Sequence, residues 1–253
     1  MGRTAFQPDW RRTPDGPITR AVSVTRQTVP RAFDRVARRY DLMTGMNPGY
    51  RRHLRMSAER LEAPADGRLL DLCCGTGLST GALRAVYPGS AIVALDASAG
   101  MLGEARLKRE LAADFVLGDA TDPAAAGVEG AFDGILMAYG IRNVPERDRC
   151  LANLLELLKP GARIVFHEYS VQDDRVRRAI FTAVCAGFIE PAGWLTSRDA
   201  SIYRYLRQSV TEFDGVGAFE SRLRRAGFDG VRTLPLDGWQ RGIVHSFVAQ
   251  RPA

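Results

Sequence analysis

The sequence predicts an α/β fold: a mostly parallel sheet of seven strands, helices on both faces, and an antiparallel strand pair at the C-terminal edge. Three observations predict it. Short apolar runs alternate with stretches of helical periodicity from residue 68 to residue 167, the pattern of βαβ units. A glycine turn, Cys73-Cys74-Gly75-Thr76-Gly77, closes the first apolar run and opens a helical stretch. Aspartates stand at the ends of the next two runs, Asp96 and Asp119. Right-handed crossovers then place helices on both faces of the sheet.

The elements follow in order. Residues 1–28 are polar, contain Pro8, Pro14 and Pro17, and show no periodicity, so a basic, mobile N-terminal arm is expected there. Residues 29–253 are expected to form one domain. Phe33, Val36, Ala37 and Tyr40 recur at helical spacing, Leu42 to Tyr50 reads as a loop, and a second helix runs to about Leu61, stopped by Pro64 and Gly67. These pieces make a helical lid over about 29–62. Strands are expected at 68–73, 91–96, 115–117, 132–137 and 162–167. Between them lie helices over 79–86, through Met101 to Leu107, and through Leu151 to Leu158, the last stopped by Lys159-Pro160-Gly161. A helical insertion over about 172–212 breaks the rhythm. A helix from Val216 to Ala226, stopped by Gly227, precedes two edge strands, 231–236 and 243–250.

Composition excludes several classes. With 253 residues, 45% hydrophobic and 25% charged, the chain can bury a core and is neither collagen-like nor disordered throughout. No apolar run reaches the ~18–20 residues that span a bilayer, and no signal peptide is expected at the N-terminus. The cysteines at 73, 74, 150 and 185 have no zinc or redox spacing, so no metal site is expected and a reducing cytoplasm fits best. The net charge of +6 is concentrated: the first 40 residues hold nine arginines against Asp9, Asp15 and Asp34, and the remainder is neutral. An excess confined to one arm does not predict specific nucleic-acid binding; a solvated tail and an anionic membrane surface stay open for it.

The glycine turn is the strongest chemical signal. In open parallel sheets a ligand lies beyond the carboxyl ends of the strands, against glycine backbone and a helix N-terminus. Two details separate this turn from a dinucleotide fingerprint. Position 80 is Thr where a third glycine would stand, and Asp71 precedes Gly75 by four residues. A carboxylate there suits a cationic ligand end better than a pyrophosphate. Asp96 has the spacing of a ribose-binding acid, and Asp119 is placed for a nucleobase edge. S-adenosyl-L-methionine, cationic at sulfur and free of phosphate, matches this set. After the fourth strand, Arg142 and Asn143 offer a guanidinium and an amide, groups suited to an oxygen anion.

Several segments together resemble one family: Phe33 to Met43, the glycine turn, Gly140-Ile141-Arg142-Asn143-Val144, Leu158 to Gly161, and Tyr203-Arg204-Tyr205-Leu206 with Ser209. From about Phe33 to its C-terminus the chain resembles the ubiquinone/menaquinone biosynthesis C-methyltransferases. These are class I S-adenosylmethionine-dependent methyltransferases with a Rossmann-like sheet. The resemblance implies that Thr76, Asp96, Asp119 and Ala120 contact the cofactor, and that Tyr40, Arg142 and Asn143 line the aromatic acceptor. The expected cofactor set is completed by Asp71, Gly75, Gly77, Ala97, Met101 and Ala138, the last standing where the family has a serine. Thr44, Arg51-Arg52 and His167-Glu168-Tyr169-Ser170 also depart from the family pattern, around the expected acceptor pocket.

Ring methylation needs a phenolate-like acceptor held ~3–3.5 Å from the methyl. Arg142 would stabilise its oxygen, Asn143 would fix it, Tyr40 would close the pocket, and His167 is a rival base with an ordinary pKa near ~6.5. His53, among arginines, is expected at the surface, and His245 is expected to be structural. The apolar run 179–189 has two readings: core packing, or a lid that covers a prenyl tail or touches a membrane. The expected partner is a small aromatic acceptor, lipidic if prenylated; peripheral membrane contact and a homodimer stay open. So do two other functions: a C- or O-methyltransferase of secondary metabolism, and a non-catalytic S-adenosylmethionine- or dinucleotide-binding module.

Overall fold

In the computed structural model, which describes residues 24–197 and 201–253, the apolar runs form β1 (Arg68–Leu72), β2 (Ala91–Asp96), β3 (Asp114–Leu117), β4 (Phe132–Ala138) and β5 (Leu158–Tyr169). β6 (Asp229–Pro235) and β7 (Val244–Gln250) follow near the C-terminus. The sheet order is β3-β2-β1-β4-β5-β7-β6. β1 to β5 pair in parallel, and β7 lies antiparallel between β5 and β6. The expected antiparallel pair therefore exists, with β6 as the outer strand. The chain steps outward from β1 through β2 to β3, then returns to β4 on the other side of β1. This reversal opens a crevice at the carboxyl ends of β1 and β4.

Side chains alternate across the pleat and so build two cores. Leu70, Leu72, Ile135, Met137, Phe166 and Phe247 face one layer, which contains α5 (Arg147–Leu157) and α9 (Val216–Arg225). Leu69, Leu136, Val165 and Val248 face the other, packed against Leu54 and Leu83 of α2 (Tyr50–Glu59) and α3 (Leu78–Val86). The remaining helices border the crevice. α1 (Val29–Gly45) packs on α4 (Ala99–Arg106), and Ile202 and Tyr205 of α8 (Ser201–Thr211) join Val29, Ala32 and Val36 of α1 in one apolar cluster. α6 (Arg175–Val184), a π-helical turn over Cys185–Ile189 and α7 (Glu190–Ser197) complete the insertion.

The structure corrects four expectations. Leu42 to Gly45 continue α1 instead of forming a loop: the Thr44 hydroxyl donates back to the Tyr40 and Asp41 carbonyls, and no breaker intervenes before Gly45, where the helix ends. Leu158 belongs to β5, not to the preceding helix: it pairs with Phe132, and Lys159-Pro160-Gly161 form an irregularity inside the strand before pairing resumes at Arg163. The apolar run 179–189 divides. Phe181 and Cys185 are fully buried beside Tyr169 and Val210, while Ile180 and Phe188 are exposed, so packing accounts for only one face. Of the expected arm, residues 1–23 lie outside the described residues. Residues 26–28 form a turn against the fold, with the Val29 amide donating to the Thr25 carbonyl.

Phe166 is fully buried in the middle of β5, between the edge of Phe219 and the central strands. Phe166→Ala is expected to lower the unfolding free energy by about 3–5 kcal/mol. Val176→Ala, at a 67% exposed position, should change it by less than about 0.5 kcal/mol. Urea titrations followed by circular dichroism check the contrast.

Candidate active site

The glycine turn leaves β1 abruptly. Cys73 takes a left-handed backbone (φ 57°), which is costly for a residue with a Cβ. Gly77 is also left-handed (φ 85°), and a Cβ there would meet the Leu111 Cδ1 at 2.5 Å, so only glycine fits. Beneath the turn, Oδ2 of Asp71 accepts hydrogen bonds from the Ser79 and Thr80 hydroxyls at 2.8 and 2.6 Å. These bonds tie the end of β1 to the first turn of α3. Burial pushes the Asp71 carboxyl up to about 7, against the two hydroxyl donors.

Above the turn lies a cavity of about 360 Å³. Its walls include Gly75, Thr76, Asp96, Ala97, Met101, Asp119, Ala120 and Ala138 at one end and Tyr40, Arg142 and Asn143 at the other. Asp96 holds both sides of the cleft: one oxygen accepts from the Gly75 amide and the other from the Ser98 amide, each at 2.8 Å. Burial raises its carboxyl, countered by these amides. Asp119 accepts from the Thr121 amide at 2.7 Å. A Cβ on Gly75 would enter open space, so a ligand can reach the bare backbone there. Such a cradle, with two carboxylates on the wall and a volume in the range of small-ligand sites, fits an extended cationic nucleoside.

α1 is fastened across this end. Asp41 accepts from the Thr76 hydroxyl and the Lys108 ammonium, both at 2.5 Å, and Lys108 also donates to the Thr76 carbonyl at 2.7 Å. Asp34 accepts from the Ser98 hydroxyl at 2.6 Å and the Gly100 amide at 2.8 Å, a carboxylate set at the N-terminus of α4.

The other end is aromatic and carries one buried cation. Arg142 donates from Nη1 to Glu168 Oε1 at 2.8 Å and to the Tyr139 carbonyl at 2.6 Å, and its Nε meets Ser209 of α8 at 3.3 Å. Burial acts to discharge the guanidinium, but Glu168 together with Tyr169 and Tyr205 holds the Arg142 pKa above its ordinary value. Burial raises the Glu168 carboxyl, with Arg142 opposing. Among the described residues, Nη2 of Arg142 takes no hydrogen-bond partner. Asn143 donates to the Tyr139 carbonyl and accepts from the Tyr205 hydroxyl at 3.1 Å. Tyr50 stacks on Tyr139 at 5.4 Å, and Tyr169 lies 4.9 Å from Tyr139. Tyr40 and Tyr50 both line this end, and burial raises both phenols.

Eleven expected site residues thus share one cavity wall, and three stand off it. Asp71 and Gly77 shape the turn from below instead of facing a ligand. His167 is fully buried behind Tyr139, with Nδ1 on Ser57 at 2.7 Å and Nε2 on the Tyr139 hydroxyl at 2.9 Å. Burial drives its pKa down to about 3, helped by the nearby His53, Arg60 and His245. A base facing the acceptor does not fit that position. His53 is not at the surface: it is 1% exposed and pairs with Gln240 and Asp237, each at 2.6 Å. The sequence reading did not single out Tyr50, Tyr139, Glu168 or Lys108 as site residues. Lys108 had one signal, as one of only two lysines in the chain; Glu168 and Tyr169 appeared only as departures beside His167. Arg26 and Gln27, assigned to the arm, also line the cavity.

The family model described as the ubiE/COQ5 methyltransferase family matches residues 21–249. A demethylmenaquinone methyltransferase of Clavibacter sepedonicus is 37% identical over 225 residues, 87% of this chain and 89% of that protein. A ubiquinone/menaquinone biosynthesis C-methyltransferase of Methylobacterium nodulans is 36% identical over 220 residues, 83% of this chain and 86% of that one. Among solved structures, the [4+2]-cyclase SpnF superposes with a TM-score of 0.62 at 17% identity, covering 91% of this chain and 98% of that one. A possible histamine N-methyltransferase from Thermotoga maritima gives 0.61 at 17% identity, covering 87% and 98%. At such identities these structures share the fold.

His167 gives the site an acid sensitivity of known sign. Its folded pKa lies below the unfolded value near ~6.5, so the unfolded chain binds a proton first as pH falls. The stability it contributes is complete above about pH 6.5 and declines toward pH 3, by on the order of 1.4 kcal/mol per pH unit. Asp71 acts oppositely, losing stability as pH rises from about 4 to 7. Unfolding free energies of wild type and His167→Gln, measured from pH 7 to 4, should therefore converge with acid, the Asp71 contribution cancelling between them.

Proposed function

We propose, because this chain belongs to the ubiE/COQ5 methyltransferase family, that it methylates a ring carbon of a prenylated benzoquinol or naphthoquinol. The chain is an S-adenosyl-L-methionine-dependent methyltransferase of the quinone-biosynthesis type. One relative is named a demethylmenaquinone methyltransferase and another a ubiquinone/menaquinone biosynthesis C-methyltransferase, which supports the acceptor assigned here. Secondary metabolism and a non-catalytic binding module have no such support.

When bound, the cofactor supplies an electrophilic methyl on a sulfonium. The chain's own residues do the rest. Gly75 backbone, Thr76, Asp96, Ala97 and Met101 would hold the cofactor from the side of the glycine turn, and Asp119, Ala120 and Ala138 would complete its wall. α1 and α2 act as the lid, and the links from Asp41 to Thr76 and Lys108 keep it shut over the cleft and exclude water. Arg142 meets the acceptor's hydroxyl oxygen as negative charge develops there, and Glu168 holds the guanidinium ready without reorganisation. Asn143, fixed by Tyr205, orients the same oxygen. Tyr40, Tyr50 and Tyr139 supply flat apolar faces to an aromatic ring. The observation that carries this reading is the buried, charged Arg142 on the wall of an otherwise aromatic cavity.

The prenyl tail needs an apolar route. Val176, Ile180, Phe188, Trp194 and Leu195 are exposed on α6, the π turn and α7. We read this face as the tail's exit and as a peripheral membrane contact. No helix among the described residues is long and apolar enough to cross a membrane.

Three outcomes are expected. Arg142→Ala should reduce turnover by about 100-fold or more while calorimetric affinity for S-adenosyl-L-methionine stays within about twofold; equal loss of cofactor binding would sink the assignment. Mass spectrometry of quinols incubated with methyl-labelled cofactor should place the label on a ring carbon. Separately, Phe188→Ser/Trp194→Ser should lower co-sedimentation with anionic vesicles, and unchanged binding would remove this face as the membrane contact.

A further inference from the structure

Behind the tyrosine wall runs a line of polar groups that the methyl transfer described above does not use. Arg60 Nη1 meets Ser246 Oγ at 2.6 Å, Ser246 Oγ meets Ser57 Oγ at 2.6 Å, Ser57 Oγ meets His167 Nδ1 at 2.7 Å, and His167 Nε2 meets the Tyr139 hydroxyl at 2.9 Å. Ser57, His167 and Ser246 are each fully buried. Three elements meet here: α2 carries Ser57, β5 carries His167, and β7 carries Ser246, directly across the ladder from His167.

Proton counting gives the line a direction. A guanidinium only donates, so Ser246 accepts from Arg60. The single Ser246 proton then goes to Ser57, its other partner among the described residues, and the single Ser57 proton goes to His167 Nδ1. A neutral imidazole with an accepting Nδ1 carries its proton on Nε2, and that proton goes to the Tyr139 oxygen. Burial keeps the ring neutral, and the charged or titratable groups felt around it, His53, Arg60 and His245, oppose a second proton. The Tyr139 O–H is left over. Tyr139 lines the cavity beside Arg142, whose Nη1 donates to the Tyr139 carbonyl at 2.6 Å.

We propose that the line from Arg60 through Ser246, Ser57 and His167 sets the Tyr139 hydroxyl as a hydrogen-bond donor into the cavity, where it and Arg142 together hold the anionic oxygen of a phenolic acceptor. The acceptor class rests on the function proposed above; the direction of the line does not. Tyr139 is then a catalytic residue, and His167, Ser57, Ser246 and Arg60 are positioning residues. Were the direction reversed, Tyr139 would spend its proton on His167 and present only lone pairs to a negative oxygen, which repel it. His167 thereby has a use that does not require it to accept a proton.

The test reads tautomer and turnover separately. In long-range ¹⁵N–¹H correlation spectra of the full chain labelled at histidine, with the signal assigned by its loss in His167→Gln, His167 should appear as the Nε2–H tautomer from pH 6 to 8. Ser57→Ala should weaken that bias. An Nδ1–H tautomer, or an imidazolium at pH 7, overturns the proposal whatever the enzyme methylates. With a short-chain prenyl naphthohydroquinone, Tyr139→Phe and Ser57→Ala should each lower kcat by ~10- to 100-fold, with KM for the cofactor within twofold. Wild-type kcat in Tyr139→Phe overturns the donor role. If wild type methylates no quinol, the acceptor assignment fails while the tautomer still decides the line.

Discussion

The buried ion pair between Arg142 and Glu168 is the constraint on which the acceptor end depends. A lone guanidinium with 5% of its side chain exposed would be prohibitively costly, and so would a lone carboxylate that is fully buried. The contact at 2.8 Å offsets the cost of burying both groups. The pair joins the turn after β4 to the end of β5, and the bond from Arg142 Nε to Ser209 draws α8 onto the same point. Arg147 donates to the Arg142 carbonyl at 2.8 Å and fixes the backbone of that turn. The inserted α8 is thus tied to the cavity wall through the Arg142 side chain, not through apolar contact alone.

The cofactor end follows a different logic. Its groups are held mainly by backbone amides and short side chains that leave lone pairs facing the cleft. Asp96 is the hinge of this arrangement, accepting from the turn after β1 and from the turn leading to α4. α1 adds a second layer through Asp34 and Asp41, two carboxylates seven residues apart and so on one face of the helix. One end of the cavity is therefore polar and shaped by backbone, and the other aromatic around the Arg142–Glu168 pair. This division suits a reaction that joins a charged nucleoside to an apolar ring.

Strain and buried polarity concentrate at the junction of the two ends. Cys73 and Tyr139 both hold left-handed backbones, at the carboxyl ends of adjacent strands. Gly140 beside them has no room for a Cβ, which would meet Cys73 atoms at 2.7 Å. The turn after β4 can pass the glycine turn this closely only because a glycine stands there. The tyrosine before it is thrown sideways onto Tyr50 and His167.

What the sequence by itself determined was what repeats along the chain or sits at a fixed offset from a strand. Short apolar runs and helical spacing disclosed the α/β order, and the turn, Asp96, Asp119 and Arg142 were legible because strand ends in such a sheet share one edge. Only the tertiary structure decided which side chains far apart in sequence share a hydrogen bond. Ser57, His167 and Ser246 come from separate elements and meet only when β5 and β7 pair beneath α2. His53 reads as a surface residue among arginines, yet α2 turns it inward onto Asp237 and Gln240. Asp71 reads as a ligand residue, yet its strand position points it under the turn. Direction across a sheet, and therefore burial and charge, is set by packing partners that local sequence does not contain.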